Sequence, residues 1–329
     1  MQATKIHQFF STRVCNGLQN VGNTCYISTA ITCLAHCLSF AYPIIANQPP
    51  DNAVVSKALR EMLKTIWIRQ QTCSPLVLLK TLDSSVGQMM DLFQQNDAME
   101  FLMIFFDVLN KENGTEMKLQ SLNDKLRGVQ KLNDMMNCNW QNTHRQAYSY
   151  LCGLLYGQMV NQTKCNLCGS IEHVSEVFCN ISLPISCFHN VEELLRQYFE
   201  QEVVTRNCDN CKLRNVSATN LCRFWRTPQV LIIHLKRFDN VNNKVNKKIN
   251  VPTVLSIDQY TLRPSACTEF ELKAIACHSG STAGGHYFSI VNNPNGDWYM
   301  LDDDNHPVKL DSFESVDSRN YYILFYEVK

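Results

Sequence analysis

Two cysteine pairs constrain this chain more than any other feature. Cys165-Asn166-Leu167-Cys168 and Cys208-Asp209-Asn210-Cys211 share one spacing and stand 39 residues apart. A C-x-x-C turn aims two sulfurs at one point, so two such turns complete a tetrahedral thiolate site for a structural zinc ion. Any fold that satisfies the four must therefore bring residues 165 and 211 together, with an amphipathic helix expected over Val191 to Phe199 in the intervening loop. The competing readings are a redox C-x-x-C, which the presence of two pairs disfavours, and knuckles that have lost their metal.

The other twelve cysteines are spaced irregularly through 329 residues, and MQATKIHQFF has no basic stretch followed by an apolar one. Reduced thiols in an intracellular protein, cytoplasmic or nuclear, are the expectation. No apolar run approaches the roughly 18 residues of a membrane span. Thirty basic and thirty acidic residues cancel, which argues against broad attraction to nucleic acid or an anionic membrane.

One cysteine stands apart. In Gly17-Leu18-Gln19-Asn20-Val21-Gly22-Asn23-Thr24-Cys25-Tyr26, the thiol of Cys25 precedes apolar positions at helical spacing (Ile27, Ile31, Leu34, Leu38), with Asn23 or Thr24 as N-cap types. A cysteine at a helix start is expected to ionise more easily, because backbone N–H groups and the helix dipole favour the thiolate. Packing is the commoner use of a helical cysteine, and Cys33 and Cys37 read that way. The chain then breaks at Tyr42-Pro43 and Pro49-Pro50. Helical patterns resume over Val54 to Ile68 and after Ser74-Pro75, so residues 15 to about 110 read as helical. Asp97 and Glu100 open a further helix, either as acids suited to its dipole or as a carboxylate pair that grips a basic segment.

From Tyr148 the pattern turns to short β-type runs, and Thr227 to Phe238 reads as a central strand with His234 packed inside it. Strands over Leu272 to Cys277 and Tyr287 to Asn292 flank a Gly-rich loop that presents His286 after Gly284 and Gly285. Paired glycines beside a general base would let an extended substrate pass close by. His286 is the chosen base, with His278 and His306 as competitors. Asp302-Asp303-Asp304 supplies acids that could fix its tautomer. Neighbouring acids on an extended segment point to opposite sides, so one of them should face the ring.

In their order, GLQNVGNTCY, QNDAMEFL, the two C-x-x-C pairs, TPQVLIIHLKRF, GGHY and LDDD resemble the motifs of the ubiquitin-specific protease family of deubiquitinating cysteine proteases, from about Cys15 to the C-terminus. The resemblance implies an α+β, papain-like fold as one catalytic domain over 15–329. It would have a helical thumb (15–147), zinc-bearing β fingers (148–235) and a β-rich palm (228–329), after a short extension over 1–14. It implies Cys25 as nucleophile, His286 as base, Asp302 as its orienting acid, Asn20 as oxyanion donor and Asp303 as an assisting acid. Asp97 and Glu100 match the pair that meets the arginines of ubiquitin's tail, and Gly284, Gly285 and Tyr287 match the channel for its Gly-Gly end. Cys165, Cys168, Cys208 and Cys211 match the zinc ligands. Ubiquitin and ubiquitinated proteins are the implied partners of a monomeric enzyme, with an activating partner conceivable. Ser28-Thr29 and Asn96 depart from the family pattern without removing a catalytic atom. Two alternatives are a protease for another Gly-Gly-tailed modifier and a non-catalytic ubiquitin-binding scaffold.

Overall fold

The computed structural model describes residues 10, 14, 17–86, 89–123, 125–185, 188–238, 243–263, 267–281 and 284–329. Residue 15, the expected start of the catalytic region, lies outside these, as do most of residues 1–14 and residues 282–283 of the Gly-rich segment. The first third is helical: α1 (Cys25–His36), α2 (Leu38–Ala46), α3 (Val54–Lys64), α4 (Leu76–Val86) and α5 (Ala98–Asn113), followed by α6 (Gly128–Thr143) and a short α7 (Tyr150–Leu155). The β pattern expected from Tyr148 thus begins one element later. Ser149 accepts from the Leu151 amide and caps α7 first.

The break expected at Pro43 lies instead at Cys37, where α1 and α2 bend by 87°. Pro43 sits inside α2 at the loss of one backbone bond. Two things outweigh that loss. Leu38, Phe40, Ala41, Ile44 and Ile45 are all buried, and the Glu327 carboxylate accepts from both the amide and the hydroxyl of Ser39 at the helix start.

Beyond α7 the chain builds two sheets. β1 (Gly157–Cys165), β2 (Ile171–Phe178), β4 (Glu202–Cys208) and β5 (Leu213–Arg226) form an antiparallel four-stranded sheet in the order β2-β1-β5-β4. The second sheet runs β11-β10-β9-β8-β12-β6-β3 with β7 on β8. Its strands are β3 (Ile181–Pro184), β6 (Val230–Lys236), β7 (Val254–Ser256), β8 (Glu269–Ser281), β9 (Gly284–Asn292), β10 (Trp298–Leu301), β11 (Val308–Leu310) and β12 (Tyr321–Val328).

This larger sheet divides two cores. Val230 and Ile232 of β6 face the helices, with Tyr322 and Phe325 of β12. Leu231, Ile233 and Leu235 face the other way, with Leu324 and Tyr326. Burial on both faces is why the 227–238 run shows no alternation of polar and apolar residues. The expected helix is present as α8 (Val191–Tyr198). Its Val191, Leu194 and Leu195 pack with Ile181 and Leu183 in the second core, on the large sheet, where the sequence suggested a filler between the cysteine pairs.

Candidate active site

Cys25 is the first residue of α1, with Thr24 at the cap position, and it is 5% exposed. The Thr24 hydroxyl makes no capping bond to the helix and instead donates to Asn20 Oδ1 at 3.2 Å. The expected lowering of the Cys25 pKa does not hold. Burial pushes the thiol up, the Tyr287 backbone amide pulls it down, and the nearby Asp303 charge raises it again, for a net upward shift. A helix start alone therefore leaves this sulfur protonated, and activation needs a base.

The backbone next to the base candidate reaches the sulfur. Since the Tyr287 amide bonds to the sulfur, the His286–Tyr287 peptide borders Cys25. β8 and β9 form a hairpin that runs through the Gly-rich segment, pairing Ser279 with His286 and Gly280 with Gly285, so His286 stands on a strand. β10 lies against β9 with Leu301 opposite Ser289, and the Ser289 hydroxyl donates to the Leu301 carbonyl at 3.2 Å. That pairing delivers Asp302 to the ring, where His286 Nε2 and Asp302 Oδ1 are 2.5 Å apart. A carboxylate only accepts, so Nε2 carries the hydrogen and Nδ1 is the free basic nitrogen.

Asp303 departs from the expected alternation. Its φ is +49°, and this left-handed step turns the chain so that both carboxylates come within 4.8 Å of the His286 ring nitrogen. Asp303 Oδ2 accepts from Asn20 Nδ2 at 3.1 Å, while Asn20 Oδ1 accepts from the amides of Gly22 and Thr24. Both ends of the Asn20 amide are thereby held. Burial raises the Asp303 pKa, which the Asn20 bond and the His286 charge partly oppose. Gly17 lies against this turn, and a Cβ there would stand 2.1 Å from the Asp303 carbonyl oxygen.

A cleft of about 290 Å³ is lined by Cys25, Tyr26, Asn96, Asp97, Phe238, His278, Gly285 and Tyr287, among others. Gly285 is small for an internal reason: a Cβ would lie 2.1 Å from His278 Nε2, whereas Gly284 faces open space. His278, one competitor for the base, is buried under that strand and its pKa falls to about 4 through burial. His306, the other, is exposed beyond β10. Asp97 is the N-cap of α5. Its Oδ1 accepts from the amides of Met99 at 2.6 Å and Glu100 at 3.2 Å, and its Oδ2 accepts the Tyr322 hydroxyl. Both oxygens are in use, and of the expected acidic pair only Glu100 is exposed. Sequence reasoning missed Tyr322 and Phe238 as neighbours of the site. The alternation of β12 could have placed Tyr322 on the helical side, but nothing local ties it to Asp97.

The four cysteines of the paired motifs meet at the tip of the four-stranded sheet. Cys165 ends β1 and Cys208 ends β4, and all four sulfurs lie within 4.8 Å of one another. Cys165 and Cys211 are 3.8 Å apart and Cys168 and Cys208 3.7 Å. A tetrahedron with metal–sulfur bonds of about 2.3 Å has edges of about 3.8 Å, so the cluster fits a metal ion. Donors also point at the sulfurs, from the Asn210 side chain to Cys168 and from the Cys211 amide to Cys208.

Comparison with known proteins agrees with this geometry. Residues 16–326 match the family described as ubiquitin carboxyl-terminal hydrolase. Ubiquitin carboxyl-terminal hydrolase Usp2 of Drosophila melanogaster is 29% identical over 94% of this chain and 34% of its own length. Ubiquitin carboxyl-terminal hydrolase 42 of Homo sapiens is 26% identical over 95% and 23%. The chain thus spans about a quarter to a third of these two relatives. The SAGA Ubp8/Sgf11/Sus1/Sgf73 DUB module bound to ubiquitin aldehyde superposes with a TM-score of 0.74 at 21% identity, covering 95% of this chain and 69% of that one. The likeness at that identity is one of fold, and with the match along nearly the whole sequence it leads to one assignment: this chain belongs to the ubiquitin carboxyl-terminal hydrolase family.

Proposed function

We propose that the chain is a deubiquitinating thiol protease that hydrolyses the peptide or isopeptide bond after the C-terminal Gly-Gly of ubiquitin. The observation that carries this reading is the 2.5 Å contact of His286 with Asp302 beside a buried Cys25 whose thiol needs a base. In this reading His286 Nδ1 takes the Cys25 proton as the sulfur attacks the carbonyl carbon. The amide N–H of Asn20 that Asp303 does not occupy donates to the resulting oxyanion. His286 then returns the proton to the leaving amine, and water hydrolyses the thioester with His286 again as base. Asp302 holds the ring and Asp303 holds Asn20, so each acid has one task.

Ubiquitin and ubiquitinated proteins are the proposed partners, with the Gly-Gly tail passing Gly284, Gly285 and Tyr287. Glu100, exposed where Asp97 is engaged, is the proposed contact for a basic tail residue. The cysteine cluster is proposed to hold one structural zinc that ties the tips of β1 and β4. A monomer acting inside the cell, in cytoplasm or nucleus, is proposed, and buried thiols such as Cys33, Cys37 and Cys277, in no disulfide among the described residues, suit a reducing compartment. The module that shares the fold contains further subunits, and an activating partner is proposed here by analogy. Engagement of Asp97 by Tyr322 favours one second reading, a different Gly-Gly-tailed modifier as substrate.

One experiment separates these. Ubiquitin and other modifiers, each with a fluorogenic C-terminal amide, are offered to the wild type and to Cys25→Ala. Turnover of ubiquitin by the wild type alone is expected. Turnover by Cys25→Ala, or preference for another modifier, overturns the reading.

A further inference from the structure

A second cavity, of about 380 Å³, opens where the four-stranded sheet meets α6 and α7. Its walls include Trp140, Tyr148, Trp225, Arg226 and Arg263. None of the residues placed in the active site lines it.

The charge there is uncompensated. The Arg226 guanidinium lies 5.3 Å above the Trp140 ring and hydrogen-bonds only neutral groups, Gln158 Oε1 at 3.3 Å, Asn137 Oδ1 at 2.5 Å. The Arg263 guanidinium lies 5.2 Å above the Trp225 ring. Among the described residues neither arginine is within ion-pair distance of a carboxylate, and no acid lines the cavity. Burial and then the Arg263 charge press on Arg226, so two like charges share one desolvated recess. Trp225 is 5% exposed, beneath the Arg263 guanidinium.

We infer that this cavity is a binding site for a phosphorylated side chain on a partner protein, the phosphate bridging Arg226 and Arg263. A phosphate monoester carries about −1.5 to −2 charge and three acceptor oxygens, which matches two guanidiniums better than one carboxylate does. Tyr148, 40% exposed at the rim, supplies a flat wall for an aromatic ring, so phosphotyrosine suits the recess better than phosphoserine. Stacking on the indoles holds both guanidiniums in place before a ligand arrives, which lowers the ordering cost of binding.

Trp140 and Trp225 are two of the four tryptophans in the chain, so their fluorescence reports on the cavity. The full chain is titrated with a phosphotyrosine peptide, a phosphoserine peptide, the same peptides unphosphorylated, and a glutamate-substituted peptide. Saturable quenching by the phosphotyrosine peptide, weaker by phosphoserine and absent without phosphate, is expected. Arg263→Gln should weaken binding about tenfold or more. Because this side chain stacks at the cavity margin, the unfolding midpoint and the basal hydrolysis of a ubiquitin substrate should not move. Arg226→Lys keeps the charge and loses the fork, and should fall between the two. Equal binding of phosphorylated and unphosphorylated peptides, no binding of any, or full binding by Arg263→Gln would each overturn the inference. Tighter binding of the glutamate peptide would replace phosphate by an acidic segment and overturn it as well.

Discussion

Replacing Asp97 by alanine should unfold the protein more easily, by an amount the local geometry sets. Asp97 Oδ1 accepts two amides at the start of α5, and removing such a cap costs about 0.5–2 kcal/mol. Its Oδ2 accepts the hydroxyl of Tyr322, which is 2% exposed and has no other acceptor among the described residues. Leaving that group unsatisfied costs about 1–3 kcal/mol more. The total expected for Asp97→Ala is about 1.5–5 kcal/mol, read as a lower urea midpoint at unchanged slope. Asp97→Asn has one carbonyl oxygen to serve either the cap or Tyr322, so it should recover roughly half of the loss. Glu100→Ala, at an exposed side chain, should stay within about 0.5 kcal/mol of wild type while raising KM for a ubiquitin substrate. An Asp97→Ala protein as stable as wild type would refute the capping argument, and a Glu100→Ala protein with unchanged KM would refute its proposed contact.

Other expectations follow from the same distances. Asp302→Asn can still accept from His286 Nε2 and should keep part of the activity, whereas Asp302→Ala should lose far more; kcat for equal loss in both would contradict an orienting role. Elemental analysis of protein purified without chelator should find about one zinc per chain, and Cys168→Ser should lower both metal content and stability; metal-free wild type would exclude the site. His36, His144 and His278 are all buried, with pKa values lowered by burial from 6.5 to about 4. Below pH 6.5 the unfolded chain takes up protons that these folded sites refuse. Their stability contribution is therefore complete above pH 6.5 and is lost as pH falls toward 4, on the order of 1 kcal/mol per histidine by pH 5.5. A urea midpoint that is flat between pH 7.5 and 5.5 would contradict this.

What could be read from the sequence was local or motif-borne. The start of α1 at Cys25, the helical run to residue 113, α8 and the convergence of the two C-x-x-C pairs follow from spacing. What escaped depends on partners far along the chain. The survival of Pro43 in a helix rests on burial of that helix and on Glu327, 288 residues from Ser39. The upward shift of the Cys25 thiol comes from burial and from Asp303, and a pattern of helix-start residues carries neither. Asp302 and Asp303 looked like alternating neighbours until the left-handed φ of Asp303 turned both toward His286. Gly285, legible as a small residue in a loop, is small because His278 lies against it.

The most direct test of the account is reaction with ubiquitin carrying a C-terminal electrophile, followed by digestion and mass mapping of the modified residue. The account predicts one ubiquitin per chain, attached to Cys25, with the reaction slowed in His286→Ala although the thiol remains. Attachment at another cysteine, or no adduct while the same probe labels a known thiol protease, would contradict it.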